Sequence, residues 1–463
     1  MFAQKTYIER RRVLKEKLGK GLILFFGNEE SPMNYPDNPY HFRQDSTFLY
    51  YFGIQRPGLV AILDIENDSE IIFGDEYSVE DYVWMGPQPT IAVKAEKCGI
   101  ENVLPAAKLA SILEEAIKKR RQIHFLPLYR PENKIKLQEL TGISPGELSA
   151  RFSVDLVRAV VNQREFKTEE EIAELNQAVD ISVDMHIAAM KYAKHGMTEA
   201  QVTAEIHKIA IASGGNISFP IIATINGQTL HNHYHGNVIK EGDLFLIDAG
   251  FENKMSYAGD LSSTIPVSEK FTSEQKEIYN LTLDAHQSAI DALGVGIPFR
   301  NAHFAACRTI FEGLKAMGFT KGNTNEAYDA GAHALFFPCG TGHMMGLDVH
   351  DMEDLGEVWV GYDGQPKSTQ FGLKSLRLSK PLQPGHVFTI EPGIYFIPEL
   401  IDLWRSQKKF NEFINWDKVN SYRNFGGIRN EEDFVMTVNG ARLLGKNKPK
   451  TIQEVEAIRS EAW

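Results

Sequence analysis

From Phe337 to Asp351 the chain reads Phe-Pro-Cys-Gly-Thr-Gly-His-Met-Met-Gly-Leu-Asp-Val-His-Asp, which gathers two histidines, two aspartates and three glycines in fifteen residues. Glycine permits backbone conformations and close approaches that a Cβ would block, and imidazoles bind metals or exchange protons near neutral pH. An ordinary turn with satisfied histidines would look the same, so the loop acquires meaning only through partners elsewhere. Candidate partners lie beside apolar runs. Asp248 heads Asp248-Ala249-Gly250 after Leu244 to Ile247, and Asp260 sits in Gly259-Asp260-Leu261. Glu391 opens Glu391-Pro392-Gly393 after Val387 to Ile390, and Glu431 to Asp433 stand between Gly427-Ile428-Arg429-Asn430 and the run Phe434 to Thr437.

Each of these carboxylates alone reads as a turn residue. Jointly, carboxylates at the ends of apolar strands are held in a partly desolvated setting, where unpaired charge is costly and a metal is a natural neutraliser. Four carboxylates and a histidine suit a two-metal site, with cations about 3.5 to 4 Å apart and a shared water acidified toward a pKa of about 7. Oxygen-dominated ligation with one imidazole favours Mn²⁺ or Mg²⁺ over Zn²⁺, with zinc or cobalt able to enter in vitro. Gly340-Thr341-Gly342 is not a dinucleotide loop, because the spacing to Gly346 is wrong and no clear helix follows.

The elements that must position these groups occupy a chain of 463 residues, long enough for two or three domains, with 43% hydrophobic residues. A net charge of -12 without a basic block argues against a nucleic-acid surface and against anionic membrane. No apolar run follows the charges of the first twelve residues and none elsewhere is long enough to span a bilayer, so a cytoplasmic protein is expected. Cys98, Cys307 and Cys339 share no CxxC spacing, which speaks against a disulfide framework or a thiolate zinc site. Cys339 is expected to be a small buried thiol, since nothing supplies it with a base.

Residues 1–162 alternate helices (Tyr7 to Leu18, Ala106 to Lys119) with short apolar runs (Leu22 to Phe26, Val60 to Leu63, Ile71 to Phe73), the pattern of a compact α/β domain. The aromatic stretch from Phe42 to Gly53 is expected chiefly to pack, with a pocket or subunit contact as the alternative. After a polar linker at Asn162 to Lys167, residues 163–463 form an α+β domain. Capping boxes at Thr168/Glu171, Thr198/Gln201 and Thr272/Gln275 and a start at Pro298 open four helices, which Gly196, Gly214, Gly294 and Gly318 close.

The ordered set DAG, GD, GTGHxxGLxxHD, EPG and GIRxEED resembles the proline-specific metallopeptidases of the pita-bread fold, the group of aminopeptidase P and prolidase. The stretch FRQxSxFxYxxG in the first half is similar to the aminopeptidase P N-terminal domain. The resemblance implies that Asp248, Asp260, His343, Glu391 and Glu431 hold two divalent ions, with Asp260 and Glu431 bridging. It implies that Glu391 acts as general base for attack of a bridging hydroxide on the Xaa-Pro bond, and that His350 stabilises the oxyanion. An upstream histidine, His231 with His233 in reserve, is implied to sit near the bound proline, and Arg429 to orient the carboxylates. Two departures carry expectations. Twelve positions separate Asp248 from Asp260, one more than the family usually shows, so a bulge in the intervening hairpin is expected. Asn430 replaces an apolar residue, which leaves the ligand at Glu431 open to a slip of one.

The segment Gly372 to Arg377 resembles the prolidase element that clamps a substrate carboxylate, with Arg377 as the clamp. An Xaa-Pro dipeptidase is therefore expected, with an Xaa-Pro aminopeptidase acting on longer peptides as the alternative. More distant readings are a metal-free pita-bread binding module and creatinase-like hydrolysis of a small molecule. The resemblance further implies a homodimer, to whose partner site the aromatics at 48 to 52 contribute.

Overall fold

A computed structural model describes residues 1–462. Two compact units make up the chain: residues 1–164 with Met352–Trp359, and Glu165–Asp351 with the chain from Val360 onward.

The first unit is built on a sheet of β1 (Leu22–Phe26), β2 (Val60–Asp64), β3 (Ser69–Phe73), β4 (Asn102–Leu104) and β5 (Ile123–His124), in the order β4-β3-β2-β1-β5. The central strand β1 is apolar and buried at every position, as a strand covered on both faces must be. Helix Ser46–Phe52 starts where the Asp45 carboxylate accepts from the Phe48 N–H at 2.8 Å, and all seven of its residues are buried. The aromatics at 48 to 52 are packed inside their own unit, with Phe48, Tyr51 and Phe52 at 0% exposure, as expected of residues whose chief use is packing. Helix Gln4–Leu18 is tied down by the buried Arg11, which donates to Glu70 (2.7 Å), the Tyr51 carbonyl (2.9 Å) and the Cys98 carbonyl (2.8 Å).

In the second unit, helices Glu169–Tyr192, Glu199–Ala212 and Ser273–Asp291 each begin at a Thr capping box, and Ser273–Asp291 packs along Arg300–Ala316. They flank short sheets: β6 (Asn216–Ile217) with β9 (Phe251–Glu252), then β7 (Ile222–Thr224), β8 (Leu244–Ala249) and β10 (Leu261–Pro266) in the order β10-β8-β7. Further along, β11 (Val387–Ile390), β14 (Glu432–Thr437) and β15 (Gly440–Leu443) form one sheet, and β12 (Gly393–Tyr395) pairs with β13 (Gly427–Arg429).

The hairpin from β8 to β10 contains no bulge. Leu244 pairs with Pro266 and Ala249 with Leu261, and the same register runs on through the Glu252/Ala258 bridge. The additional residue is absorbed at the tip. There Asn253 Oδ1 accepts from the Met255 and Tyr257 N–H groups (2.9 and 3.1 Å), and Ser256 takes a φ of 65°. With Asp248 opposite Ser262 and Asp260 opposite Gly250, the pleat turns both carboxylates to one face.

Candidate metal centre

Four chain segments converge on that face. Asp260, His343 and Glu431, all buried, place ligand atoms within 4.8 Å of one another. His343 Nε2 lies 3.3 Å from Asp260 Oδ2 and 3.7 Å from Glu391 Oε1. Its Nδ1 is 3.0 Å from the Met344 carbonyl, a contact that assigns the proton to Nδ1 and aims the lone pair of Nε2 at the carboxylates. The loop is held there as a short strand beside β11: Thr389 N–H donates to the His343 carbonyl (3.0 Å) and Met345 N–H to the Val387 carbonyl (3.0 Å). Gly342 is pressed so close that a Cβ would meet the Thr389 carbonyl at 2.0 Å.

Arg429 ties the carboxylate strands together. Its Nη2 donates to Asp248 Oδ2 (2.6 Å), its Nε to Ser262 Oγ (2.8 Å) and its Nη1 to the Tyr395 hydroxyl (3.1 Å), and Ser262 donates onward to Glu431 Oε2 (2.8 Å). At the corner where a slip was open, the structure brings Glu431 to the cluster and turns Glu432 the other way, to Lys450. Asn430 is buried because its side-chain oxygen accepts from Lys448 Nζ (2.9 Å), which also donates to the Ser262 carbonyl.

His231 is exposed but lies within charge reach of Arg429, Asp248, Arg377 and His350. Partial burial of its ring, then the Arg429 cation, hold its pKa below the usual value. His233 is also exposed. The His350 ring stands 4.2 Å from that of His343, edge to face, while the neighbouring Asp351 accepts from Lys167 Nζ at 2.7 Å. Arg377 lies near enough to Glu391 for its charge to lower the acidity threshold of that carboxyl. Cys339 is a weak acid, its thiol pushed up to about 12 by burial and by Glu391.

The donor set fits divalent cations. Burial, then repulsion from neighbouring carboxylates (Asp248 first for Asp260, Asp260 first for Glu431), pushes the carboxyls of Asp260 and Glu431 well above the usual range, and burial raises Glu391 as well. Asp248 Oδ1 is buried without a hydrogen-bond partner among the described residues, an orphan acceptor that a cation would satisfy. Sequence reasoning missed Asp433, whose Oδ2 accepts from the Asp260 N–H at 3.0 Å, as well as Ser262 and Lys448. For Asp433 a signal existed: in an extended strand it shares a face with Glu431.

Residues 173–438 match the model of metallopeptidase family M24, and residues 7–124 match the aminopeptidase P N-terminal domain. The chain belongs to metallopeptidase family M24. It is similar to human Xaa-Pro dipeptidase, at 31% identity over 94% of this chain and 88% of the relative. It is also similar to Escherichia coli Xaa-Pro aminopeptidase, at 30% identity over 98% of both. Among solved structures, a substrate complex of an E. coli aminopeptidase P variant superposes with a TM-score of 0.82 at 28% identity, covering 100% of this chain and 99% of that one. Pseudomonas aeruginosa aminopeptidase PepP gives 0.83 at 26% identity, with the same coverage. The second unit is thus the pita-bread domain of an M24 metallopeptidase that uses divalent metal ions, preceded by the smaller N-terminal α/β domain. Among the described residues no helix is long and apolar enough to cross a membrane.

Proposed function

We propose that this enzyme hydrolyses the bond before proline, and that its preferred substrates are Xaa-Pro dipeptides. The observation that carries the proposal is the convergence of Asp248, Asp260, His343, Glu391 and Glu431 around Arg429 in a chain about as similar to an Xaa-Pro dipeptidase as to an Xaa-Pro aminopeptidase. These five side chains would hold two divalent ions, which we assign as Mn²⁺ because oxygen donors predominate. Bound there, the ions supply Lewis-acid polarisation of the scissile carbonyl and an acidified water.

The chain's own groups do the rest. Glu391 accepts a proton from the attacking water and returns it to the proline nitrogen as that nitrogen leaves. A carboxyl raised by burial, but moderated by His343, Arg429 and Arg377, is suited to both halves of that exchange. His350 is placed to donate to the oxygen on which charge develops, and His231 to hold the proline residue beside Asp248 and Arg429. Arg429 fixes Asp248 through its 2.6 Å contact and keeps the carboxylate strands in register.

Arg377 supports the dipeptidase reading, since a guanidinium within charge reach of both Glu391 and His231 is positioned to clamp the carboxylate of a C-terminal proline. The aminopeptidase reading is favoured by the near-complete overlay on aminopeptidase P. After Mn²⁺ loading, kcat/KM for an Xaa-Pro dipeptide should exceed that for the matching Xaa-Pro-Yaa tripeptide. Faster tripeptide turnover selects the aminopeptidase. Arg377→Ala should lower dipeptide kcat/KM by about 10²-fold, the size of losing one charged hydrogen-bonded clamp of about 3 kcal/mol, and leave tripeptides less affected. We further assign the enzyme to the cytoplasm, and we assign it as a homodimer, a state that sedimentation of the purified chain tests directly.

A further inference from the structure

A second group of metal-binding side chains lies in the same unit. Helix Arg300–Ala316 carries His303 and Cys307 four positions apart and therefore on one face. The short 3₁₀ turn Ala332–Leu335 brings His333 against them, and ligand atoms of all three lie within 4.8 Å of one another. Every one of these residues is buried, with His303 at 0%, Cys307 at 1% and His333 at 2% exposure.

The details favour ligation over packing. His303 Nδ1 is 2.8 Å from the Thr341 hydroxyl, which fixes the ring and leaves Nε2 directed at Cys307 Sγ, 3.5 Å away. A tetrahedral zinc ion, with bonds of roughly 2.0 Å to nitrogen and 2.3 Å to sulfur, separates its nitrogen and sulfur ligands by about 3.5 Å. Neither ring nitrogen of His333 meets full hydrogen-bond geometry among the described residues; the ring is stacked on Tyr328 at 4.7 Å, and the Tyr328 backbone is a polar group near enough to act on it. A neutral imidazole has one N–H, toward which the Tyr328 backbone is the available acceptor, and one lone pair, which is costly to bury unless something accepts it. Burial holds His303 and His333 neutral, at pKa values of about 3 and about 4, which is the state in which an imidazole ligates.

We propose that His303, Cys307 and His333 form a third, structural metal site that takes a thiophilic divalent cation, zinc in the first instance. Binding breaks the Sγ–H bond of Cys307, releases the proton to solvent and forms a metal–thiolate bond, with no change of oxidation state. Cys339 lies near enough to Cys307 for the two thiols to influence each other electrostatically. Through Thr341 the site would pin the base of the loop that presents His343, joining it to helix Arg300–Ala316. The catalytic cluster offers oxygen and imidazole donors, whereas this one offers sulfur, and that difference separates the two experimentally.

The test is uptake of Co²⁺ by the chelator-stripped, full-length protein, followed by metal analysis and near-ultraviolet absorption. Wild type should bind three equivalents per chain and show a thiolate-to-cobalt charge-transfer band, which the oxygen- and nitrogen-only catalytic centre cannot produce. Cys307→Ser should bind two equivalents and lose the band, while Cys98→Ser keeps both the third equivalent and the band. If Cys307→Ser fails to fold, as judged by circular dichroism, the wild-type spectrum and His333→Phe, which preserves the ring stack, carry the test. A wild type that takes up at most two equivalents, or shows no thiolate band, overturns the proposal, as does a band that survives Cys307→Ser.

Discussion

The two units bury charge in opposite ways. In the first, Arg11 lies at 0% exposure with its donors spent on Glu70 and two main-chain carbonyls, so the cation is architecture. In the second, Asp248, Asp260, Glu391 and Glu431 are driven together, and Arg429, the cation that hydrogen-bonds into this cluster, reaches a single carboxylate directly among the described residues, that of Asp248. An interior whose charges are satisfied by its own chain is finished on folding. One that gathers like charges and leaves an oxygen of Asp248 orphaned is complete only with ions from outside.

That contrast can be broken most directly at Glu391. Glu391→Gln should lower kcat by about 10²- to 10⁴-fold while leaving the chelated protein as stable as wild type or more so, because one of the repelling carboxylates is gone. Kinetics and thermal unfolding in a chelator measure the two effects, and a parallel loss of stability would erase the distinction between the units. Arg11→Met probes the opposite side. Unpairing Glu70 and two carbonyls in the interior should cost about 3 to 5 kcal/mol in urea unfolding, with turnover per folded molecule unchanged.

A smaller effect concerns acid. His186, His303 and His386 have pKa values lowered to about 3 and His333 to about 4, in each case chiefly by burial, and all four belong to the second unit. The unfolded chain binds these protons from about pH 6.5 downward while the fold refuses them, so stability is full above pH 6.5 and drains as pH falls toward 4. The raised carboxyls pull the other way in chelated protein, so the titration belongs at saturating Mn²⁺. A melting temperature that stays flat from pH 6.5 to 5 would contradict it. The smallest change is at Tyr395→Phe, which removes one hydrogen bond from Arg429 and should cost about 1 kcal/mol, seen as a several-fold drop in kcat/KM.

Much of this was legible because it is local. The capping boxes at Thr168, Thr198 and Thr272 announce their helices, and the apolar runs Leu22–Phe26 and Val387–Ile390 are strands with those same bounds. Helix Ser46–Phe52 was not legible: a seven-residue run in which five positions are Thr, Tyr or Phe favours strand on its own, and the burial that overrides this preference comes from elsewhere in the unit. The grouping of the candidate site residues was read from resemblance to a family, since nothing in local spacing says that Asp260 meets Glu431. Lys448 and the cluster of His303, Cys307 and His333 escaped for the same reason, as their partners are supplied by other segments, whereas Asp433 had a local signal in its two-residue spacing from Glu431. The hairpin tip misled because insertion of a residue can be absorbed by a turn, at Ser256, without disturbing the ladder.

Two residues without side chains remain. Gly227 and Gly427 face each other so closely that a Cβ on either would meet the other's carbonyl oxygen at 2.5 Å. The first stands four positions before His231 and the second two before Arg429. In an unselected mutant library scored for growth on proline peptides, these codons should behave like catalytic ones and tolerate almost no replacement. A search for active-site residues guided only by functional groups would pass over both.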